Sequence, residues 1–559
     1  MAQSKQLKHR IPVKLRHNWK LVALCVAFLA ACWGVFGSGT IRPYVTTAQA
    51  AEAETVTTNL TGTKDLFDAS VAHEVKLTFT DQAYEDMLTE HFKEGEKKYV
   101  EADLTIDGTR IPSVGIRLKG NSTLGGLTWK GQSKERAMPG GGQRPEGMPE
   151  GFQPPAGFQP PGNGQPQAGQ PQAGQPQAGQ PQAGQPQAGQ PQAGQPQGNG
   201  GPPGGGMFGS TLKAEEPENL PWLISFDEFV EGRRYQGHSQ VAVRPAAMGS
   251  TTMLNEALGI SVVGAAGEPT QRSAYSSFSI NGRSSTPRLM VEYLDEGYAE
   301  NLGDGVLYKS LASSSFTYKG EDQTGYTTDF KQINKVGGKD LQPVIDLVKW
   351  VNEASDTEFA AGLAGRLDVE SFARYLALQN IMVNFDDMAG PGRNYYLWYD
   401  TGTKKFKVIT WDLNLAFNGD AKSGVNDTIG MGGLGQGGPQ QTQQQGQQQG
   451  RPTQGFTPPE GGEQGREQGG GGMRMGHPLK EKFLKNATFK KLYEEQYRAL
   501  YARLLSNGTA SGLLDDLVGS YKLNEKADTA RVDAEARTLR TFLQTRTKTL
   551  RSDEAISGA

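Results

Sequence analysis

Two stretches of this 559-residue chain cannot build a core, and they decide how the rest can fold. The first runs from about Glu135 to Glu216, where GGGQRPEGMPEGFQPPAGFQPPG gives way to tandem QPQAG units from Gln165. The second runs from about Gly424 to Met475 and is rich in Gly and Gln, as in GGPQQTQQQGQQQGRPTQG. Neither has hydrophobic periodicity, and chains of this composition bury too little apolar surface to offset the entropy of ordering. Loops this long are expected to be disordered. Closing them costs little, because loop entropy grows only logarithmically with length. Both read as insertions in surface loops of one body, which they divide into segments 62–134, 217–423 and 476–552. Gly430–Gly435 (GMGGLG) formally matches G-x-G-x-x-G, but it follows no strand and opens no helix, so it reads as chance within a Gly tract.

The formal net charge is −3, so no basic excess points to nucleic acid as a partner. The two cysteines, Cys25 and Cys32, both lie in an apolar N-terminal segment. The body therefore has no disulfide, thiol nucleophile or cysteine metal site. The six histidines show no ligand spacing. Residues 1–50 read as an export signal or membrane anchor: Lys14, Arg16 and Lys20 precede LVALCVAFLAACWGVFG, and Ala48 and Ala50 form an A-x-A site with cleavage expected after Ala50. The apolar run is slightly short for a spanning helix, which needs about 20 residues. A lipoprotein at Cys32, in Leu29-Ala30-Ala31-Cys32, is a further reading, opposed by Trp33 and the apolar sequence after it. All three put the body outside the cytoplasmic membrane, which it would touch only through the N-terminal segment. An exported body without cysteine suits a Gram-positive-like envelope.

The remaining sequence carries clear element signals. VAHEVKLTFT reads as a strand, Asp81 as the cap of helix DQAYEDMLTEHF, and KKYVEADLTIDGTRIPSVGIRLKG as strands around an Asp107-Gly108 turn. LPWLISFDEF, SQVAVRP, AYSSFSING and RLMVEYLD read as further strands, with TTMLNEALGISVV a helix among them. From about Asp340 the chain turns helical, with Asp368 capping LDVESFARYLALQNIMVNF and more helices after the second insertion. The class is α+β, a mostly antiparallel sheet lobe followed by a mostly helical lobe.

Chemistry concentrates at Asn384–Phe417, where the runs NYYLWY and KFKVITW flank a D-T-G-T turn. A turn centred near Gly402–Thr403 places Asn394 across from Asp412, and antiparallel partners sit about 4.5–5.5 Å apart. One divalent cation could bridge their side chains. A helix ending near Phe385 delivers Asp386 and Asp387 to the same open end. The order Asp386, Asn394, Asp412 matches a phosphoryl-transfer template: a catalytic Asp on a loop, a metal-binding Asn, a hairpin, then a metal-binding Asp. Hard oxygen ligands suit Mg²⁺ held against phosphates. The gap from Asp386 to Asn394 is longer than in H-R-D-x-x-x-x-N, and no D-F-G follows. Asp and Asn are also common in turns and caps; Asp387 reads as a solvated neighbour or positioning residue, and Asp400 as a turn residue. Upstream, GIRLKGNSTLGG is a strand entering a turn whose amides could cradle phosphates, or an ordinary hairpin turn.

Taken in order, VGIRLKGNST, PWLISFDEF, N-E-A-L, FSING, VEYLDE, GVLYK, VNFDD…RNYYLWY, VITWDLNLAF and the tail HPLKEKFLKNATFKKLY resemble the CotH kinase family, the spore-coat protein H-like atypical protein kinases. The resemblance runs from about Val71 to Leu505. It implies a divergent two-lobed protein-kinase-like fold, ATP and Mg²⁺ or Mn²⁺ as cofactors, and transfer of the γ-phosphate to Ser/Thr of envelope or spore-coat proteins. Carried onto this chain, Asp386 is the catalytic Asp, and Asn394 and Asp412 hold metal. Lys119, Gly120, Asn121 and Ser122 form the nucleotide loop. Glu292 lies near the interlobe hinge, Lys309 contacts phosphate, and Glu256 is the helix carboxylate that positions a basic residue. Two departures stand out. Where many family members carry lysines around PWLISF, this chain has Asn219, Leu220 and Leu223, and ING is followed by RSSTP. Arg244, Lys119 or Lys309 must then substitute, or the chain is a non-catalytic surface or coat protein binding through its repeats. A metal-dependent hydrolase or nucleotidyl transferase on the same carboxylates is a third reading, but no histidine general base or Ser-His-Asp set supports hydrolysis.

Overall fold

The computed structural model describes residues 56–120, 123–133, 212–245, 250–336, 338, 340–430 and 476–558. The N-terminal segment, with Cys25 and Cys32, and most of both low-complexity segments lie outside the described residues. The chain divides into two units, residues 1–55 with 335–340 and residues 56–334 with 341–559, and the fold below is that of the second. Among the described residues no helix is long and apolar enough to cross a membrane.

In chain order the first half comprises β1 (Thr58–Leu60), β2 (His73–Thr78), α1 (Asp81–Glu94), β3 (Val100–Ile106), β4 (Thr109–Leu118), β5 (Thr128–Trp129), β6 (Gln132–Ser133), β7 (Trp222–Ser225), β8 (Arg233–Tyr235), β9 (Gln240–Val243), α2 (Leu254–Ala265), β10 (Ser273–Ile280) and β11 (Thr286–Glu292). Burial alternates along β2, the period of a strand with one face on a core. The Asp107-Gly108 turn forms as the sequence indicates, with φ of +48° and +83°, the left-handed pair that a two-residue hairpin needs. The cap of α1 is Thr80, one residue before the expected Asp81; its hydroxyl accepts from the Ala83 amide at 3.2 Å. Seven strands close into a barrel in the order β10-β11-β9-β7-β4-β3-β2. Its joins are antiparallel except the closing one, where β2 runs parallel to β10. Leu77, Leu104, Ile116, Trp222, Val243 and Phe278 are buried in its core.

The second half comprises α3 (Glu296–Leu302), β12 (Gly305–Ser310), β13 (Phe330–Gln332), α4 (Gln342–Glu353), α5 (Asp356–Gly362), α6 (Val369–Ile381), β14 (Tyr395–Asp400), β15 (Lys405–Thr410), α7 (Pro478–Lys485), α8 (Ala487–Leu500), α9 (Thr509–Lys522), α10 (Thr529–Arg551) and α11 (Glu554–Ser557). It is less purely helical than the sequence suggests, because β13-β12-β14-β15 form an antiparallel sheet of their own. Asp368 caps α6 as expected, accepting from the Ser371 amide at 3.0 Å. The class is α+β throughout.

The first insertion ends earlier, and the second starts later, than composition implies. Leu212 and Ala214 are buried, and Lys213 bridges to Thr128, so residues 212–216 belong to the body. Val425 is buried as well, and Asn380 Nδ2 at the end of α6 donates to the carbonyls of Gly424, Val425 and Asp427 at 3.2–3.3 Å. Arg546 of α10, fully buried, donates to the Asn380 carbonyl at 2.9 Å and to that of Ser423. Short polar runs hide such anchors, since a single buried Val gives no periodicity.

Candidate active site

The end of β9 and the first turn of α2 create a buried ion pair. Arg244 follows Val241-Ala242-Val243, and its Nε donates to Glu256 Oε2 at 2.7 Å. A terminal nitrogen of the same guanidinium donates to Asp412. Glu256 is 1 % exposed and Arg244 8 %. Burial pushes the Glu256 carboxyl up and Arg244 pulls it back. Burial also works against the Asp412 charge, but Arg244 and Lys119 outweigh it and hold that carboxyl below the usual range. Arg288 braces the strand end: its Nε and Nη2 donate to the Arg244 carbonyl at 2.8 and 2.6 Å, and Nη2 donates to the Leu220 carbonyl at 2.7 Å.

Asp412 reaches Arg244 through its backbone. The β14/β15 register pairs Tyr395 with Thr410 and Asp400 with Lys405. The position across from Asn394 is thus Trp411, and the expected Asn394–Asp412 pairing is one residue out. In a ladder such a slip would turn the side chain to the wrong face. Asp412 escapes the alternation because it has left the strand, with φ of +55°. That left-handed conformation is one that Asp adopts more readily than most residues with a Cβ. Asp400 serves as a turn residue, its Oδ1 accepting from the Thr403 amide at 2.6 Å.

Asp386 lies on the loop after α6. Its Oδ1 accepts from the Gly392 amide at 2.6 Å and its Oδ2 from Asn394 Nδ2 at 3.0 Å. Asn394 Nδ2 also donates to the Asp386 carbonyl at 3.1 Å. Glycine at 392 leaves room for this pair, because a Cβ there would sit 2.6 Å from Asn394 Nδ2 and 2.8 Å from Asp386 Oδ2 and would displace them. Burial pushes the Asp386 carboxyl up to about 6; the Gly392 bond opposes this, and the charges of Asp412 and Asp387 add to it. Asp387 is no solvated neighbour. It is 3 % exposed, and its Oδ2 accepts from Lys480 Nζ of α7 at 2.5 Å, which pins the loop to the C-terminal helices.

Two lysines face this group from other elements. Lys119, just past β4, holds its Nζ 5.3 Å from the centre of the Trp411 ring, and Lys309 of β12 holds its own at 5.0 Å. Lys309 also lies over Tyr396 and Tyr293. Neither ammonium has a carboxylate ion-pair partner among the described residues. Burial and the Arg244 charge lower the Lys119 pKa. Gly120 has φ of +100°, while Asn121 and Ser122 lie outside the described residues. Glu292 is not brought into this group. It ends β11, from which the chain passes through α3 to β12, but its side chain turns to His238 and Arg272, each 3.6 Å away.

Lys119, Arg244, Glu256, Trp411 and Asp412 surround a crevice with apolar lining from Ala242 and Val291 that has essentially no room for a water molecule. Small-molecule sites span about 300–1,000 Å³, so a nucleotide needs side-chain or lobe movement to enter. Among the described residues no three His, Asp or Glu side chains converge as a metal site. The donors on offer are Asp386, Asn394 and Asp412. With Nδ2 of Asn394 on Asp386, its Oδ1 is the atom available to a metal. Mg²⁺ is commonly held by one or two carboxylates together with nucleotide phosphates, so this set fits a metal that arrives with a nucleotide.

The sequence points to Arg244 only as a substitute for missing lysines. A sharper signal was available: V-A-V-R at a strand end, followed by a helix with a Glu, parallels the V-A-I-K strand whose Lys pairs with a helix Glu in protein kinases. Trp411 carried no signal before the register was known.

A strand-end cation paired to a helix carboxylate, a loop Asp with a following Asn, and an Asp past a hairpin parallel, in kind and order, the parts that phosphoryl-transfer enzymes use. The chain belongs to the CotH kinase family: the family model described as CotH kinase protein matches residues 208–550. That span holds Arg244, Glu256, Asp386, Asn394 and Asp412, whereas Lys119 and β2–β4 precede it. No match was found among curated proteins.

Proposed function

We propose that this chain is an exported, ATP-dependent atypical protein kinase that phosphorylates Ser/Thr of envelope or spore-coat proteins. The observation that carries the reading is Arg244 joined to both Glu256 and Asp412 beside an Asp386 held by Gly392 and Asn394. In this reading the barrel is the nucleotide lobe and the helical half the substrate lobe, as in a two-lobed kinase. Asp386 orients the attacking hydroxyl and accepts its proton; a carboxyl titrating near 6 is ionised at neutral pH yet basic enough to help. Arg244, Lys119 and Lys309 supply positive charge for the phosphates. Mg²⁺ or Mn²⁺, when bound by Asn394 and Asp412, neutralises charge on the transferring phosphoryl group. Residues 1–50 direct export, as a cleaved signal or an anchor.

A second reading, a non-catalytic binding protein on the same scaffold, is favoured by the tightness of the crevice, which has essentially no room for a water molecule. The test is incubation of the chain with γ-³²P-ATP and Mg²⁺ or Mn²⁺ beside Asp386→Ala and Asp412→Ala. Label that vanishes in both variants supports phosphoryl transfer. A folded protein with neither label nor an ATP-induced thermal shift supports the binding protein.

A further inference from the structure

α2 carries Glu256 in its first turn, yet its cap residue gives that turn no side-chain acceptor. Met253, at the cap position, has φ of +55° and makes no side-chain capping bond. The segment that leads into the helix is instead held by Glu535 on α10, some 280 residues away in sequence. One Glu535 oxygen accepts from the Thr251 amide at 3.0 Å and the Thr251 hydroxyl at 2.5 Å. The other accepts from the Ser250 hydroxyl at 2.7 Å, the Thr252 hydroxyl at 2.6 Å and the Thr252 amide at 3.4 Å. Ser250 Oγ is in turn 3.2 Å from the Leu254 amide, which donates to it. A carboxylate here is doubly placed: its bonds are charge-assisted, and it meets the positive end of the helix dipole.

The turn it holds governs both limbs of the site. Glu256 fixes Arg244. Asn255, next to it, donates from Nδ2 to the carbonyls of Asn414 at 2.6 Å and Ala416 at 3.3 Å, which fixes the chain just beyond Asp412. The same C-terminal region also grips the barrel. Tyr521 of α9 packs edge-on against Tyr275, whose hydroxyl donates to the Thr252 carbonyl at 2.9 Å, and the Glu525 amide donates to Ser277 Oγ at 2.9 Å.

We infer that Glu535 is a positioning residue: it fixes the 250–252 segment that enters α2, and through Glu256 and Asn255 in the turn that follows it sets Arg244 and the Asp412 loop in the arrangement on which the proposed phosphoryl transfer rests. The inference depends on that reading only for its catalytic consequence; the mechanical part stands apart from it. Glu535→Gln keeps the shape but turns an amide donor towards hydroxyls and N–H groups, while Glu535→Ala leaves them without an acceptor.

The full chain is compared with both variants by amide hydrogen exchange and by phosphoryl transfer from ATP, each with and without acetate as a probe that can refill the vacated position in Glu535→Ala. Exchange across residues 250–258 is expected to quicken about tenfold or more in Glu535→Ala, with residues 369–381 of α6 unchanged. Acetate should restore both protection and transfer rate in Glu535→Ala but not in Glu535→Gln. Unchanged exchange at 250–258, or equal acceleration in α6, overturns the positioning role. A wild-type chain that transfers no phosphate defeats the kinase reading instead, and the exchange data still decide the role of Glu535.

Discussion

Replacing Arg244 by Met tests the ion triad directly. The variant keeps much of the side-chain volume but leaves Glu256, 1 % exposed, with no hydrogen-bonded counter-charge, while Asp412, whose side chain is 28 % exposed, keeps water and the nearby Lys119. Removing one partner of a buried pair costs about 3–5 kcal/mol, most of it from the stranded charge. Glu256 therefore dominates the loss, and Arg244→Met should fall in that range. Glu256→Gln still offers an oxygen to Arg244 Nε and leaves the Asp412 contact, so its cost should be about 1–3 kcal/mol. The double variant Arg244→Met/Glu256→Leu removes the stranded charge and should recover a large part of the Arg244→Met loss. Burial already raises Glu256, and the raised group favours the folded state at low pH and loses that contribution as pH rises. The Arg244→Met deficit should thus shrink as pH falls towards about 5. Urea unfolding at constant m-value reads all three. An Arg244→Met variant within about 1 kcal/mol of wild type, or a double variant worse than the single, refutes the argument.

Other expectations follow from the same geometry. Asp386 titrates at about 6, so if it accepts the proton, kcat/KM should rise about tenfold between pH 5 and pH 7, whereas a carboxyl near 3.8 would give an almost flat profile. Asn394→Asp sets a second carboxylate against Asp386 and should move that limb to higher pH. Gly392→Ala places a methyl 2.6 Å from Asn394 Nδ2 and should cut phosphoryl transfer while circular dichroism stays unchanged. His73, buried and bonded to Asp107 at 2.7 Å, is raised because that bond and its partners outweigh burial; Asp107 is lowered for the same reason. The His73 contribution fades as pH rises past its folded value, and that of Asp107 fades as pH falls below its usual range. Asp107→Asn should therefore destabilise most at about pH 4–6.5, read by thermal unfolding across pH.

Much of the fold is legible in the sequence because its signals are local. The Asp107-Gly108 turn, the Asp368 cap and the alternation along β2 each need only a few adjacent residues. What the sequence hides is long-range. Barrel closure by the parallel β2–β10 pair depends on residues about 200 apart, and nothing in either strand names its partner. The site divides the same way. Asp386, Asn394 and Asp412 stand out by order along the chain, whereas the Arg244–Glu256 pair, the one-residue register of the hairpin and the clamp from Glu535 exist only once three distant segments meet.

Closure of the barrel also bears on the hazard that glutamine-rich repeats bring to a chain that contains a sheet. An open sheet ends in a row of unpaired N–H and C=O groups, a template on which another extended segment can add. Here each of the seven barrel strands has a neighbour on both sides, so the barrel offers no such row, and β6, the strand that precedes the first insertion, is only two residues long. Repeats of QPQAG can lengthen or shorten in such a setting without recruiting the sheet, so the barrel gives the insertion room to vary at little hazard of cross-strand aggregation.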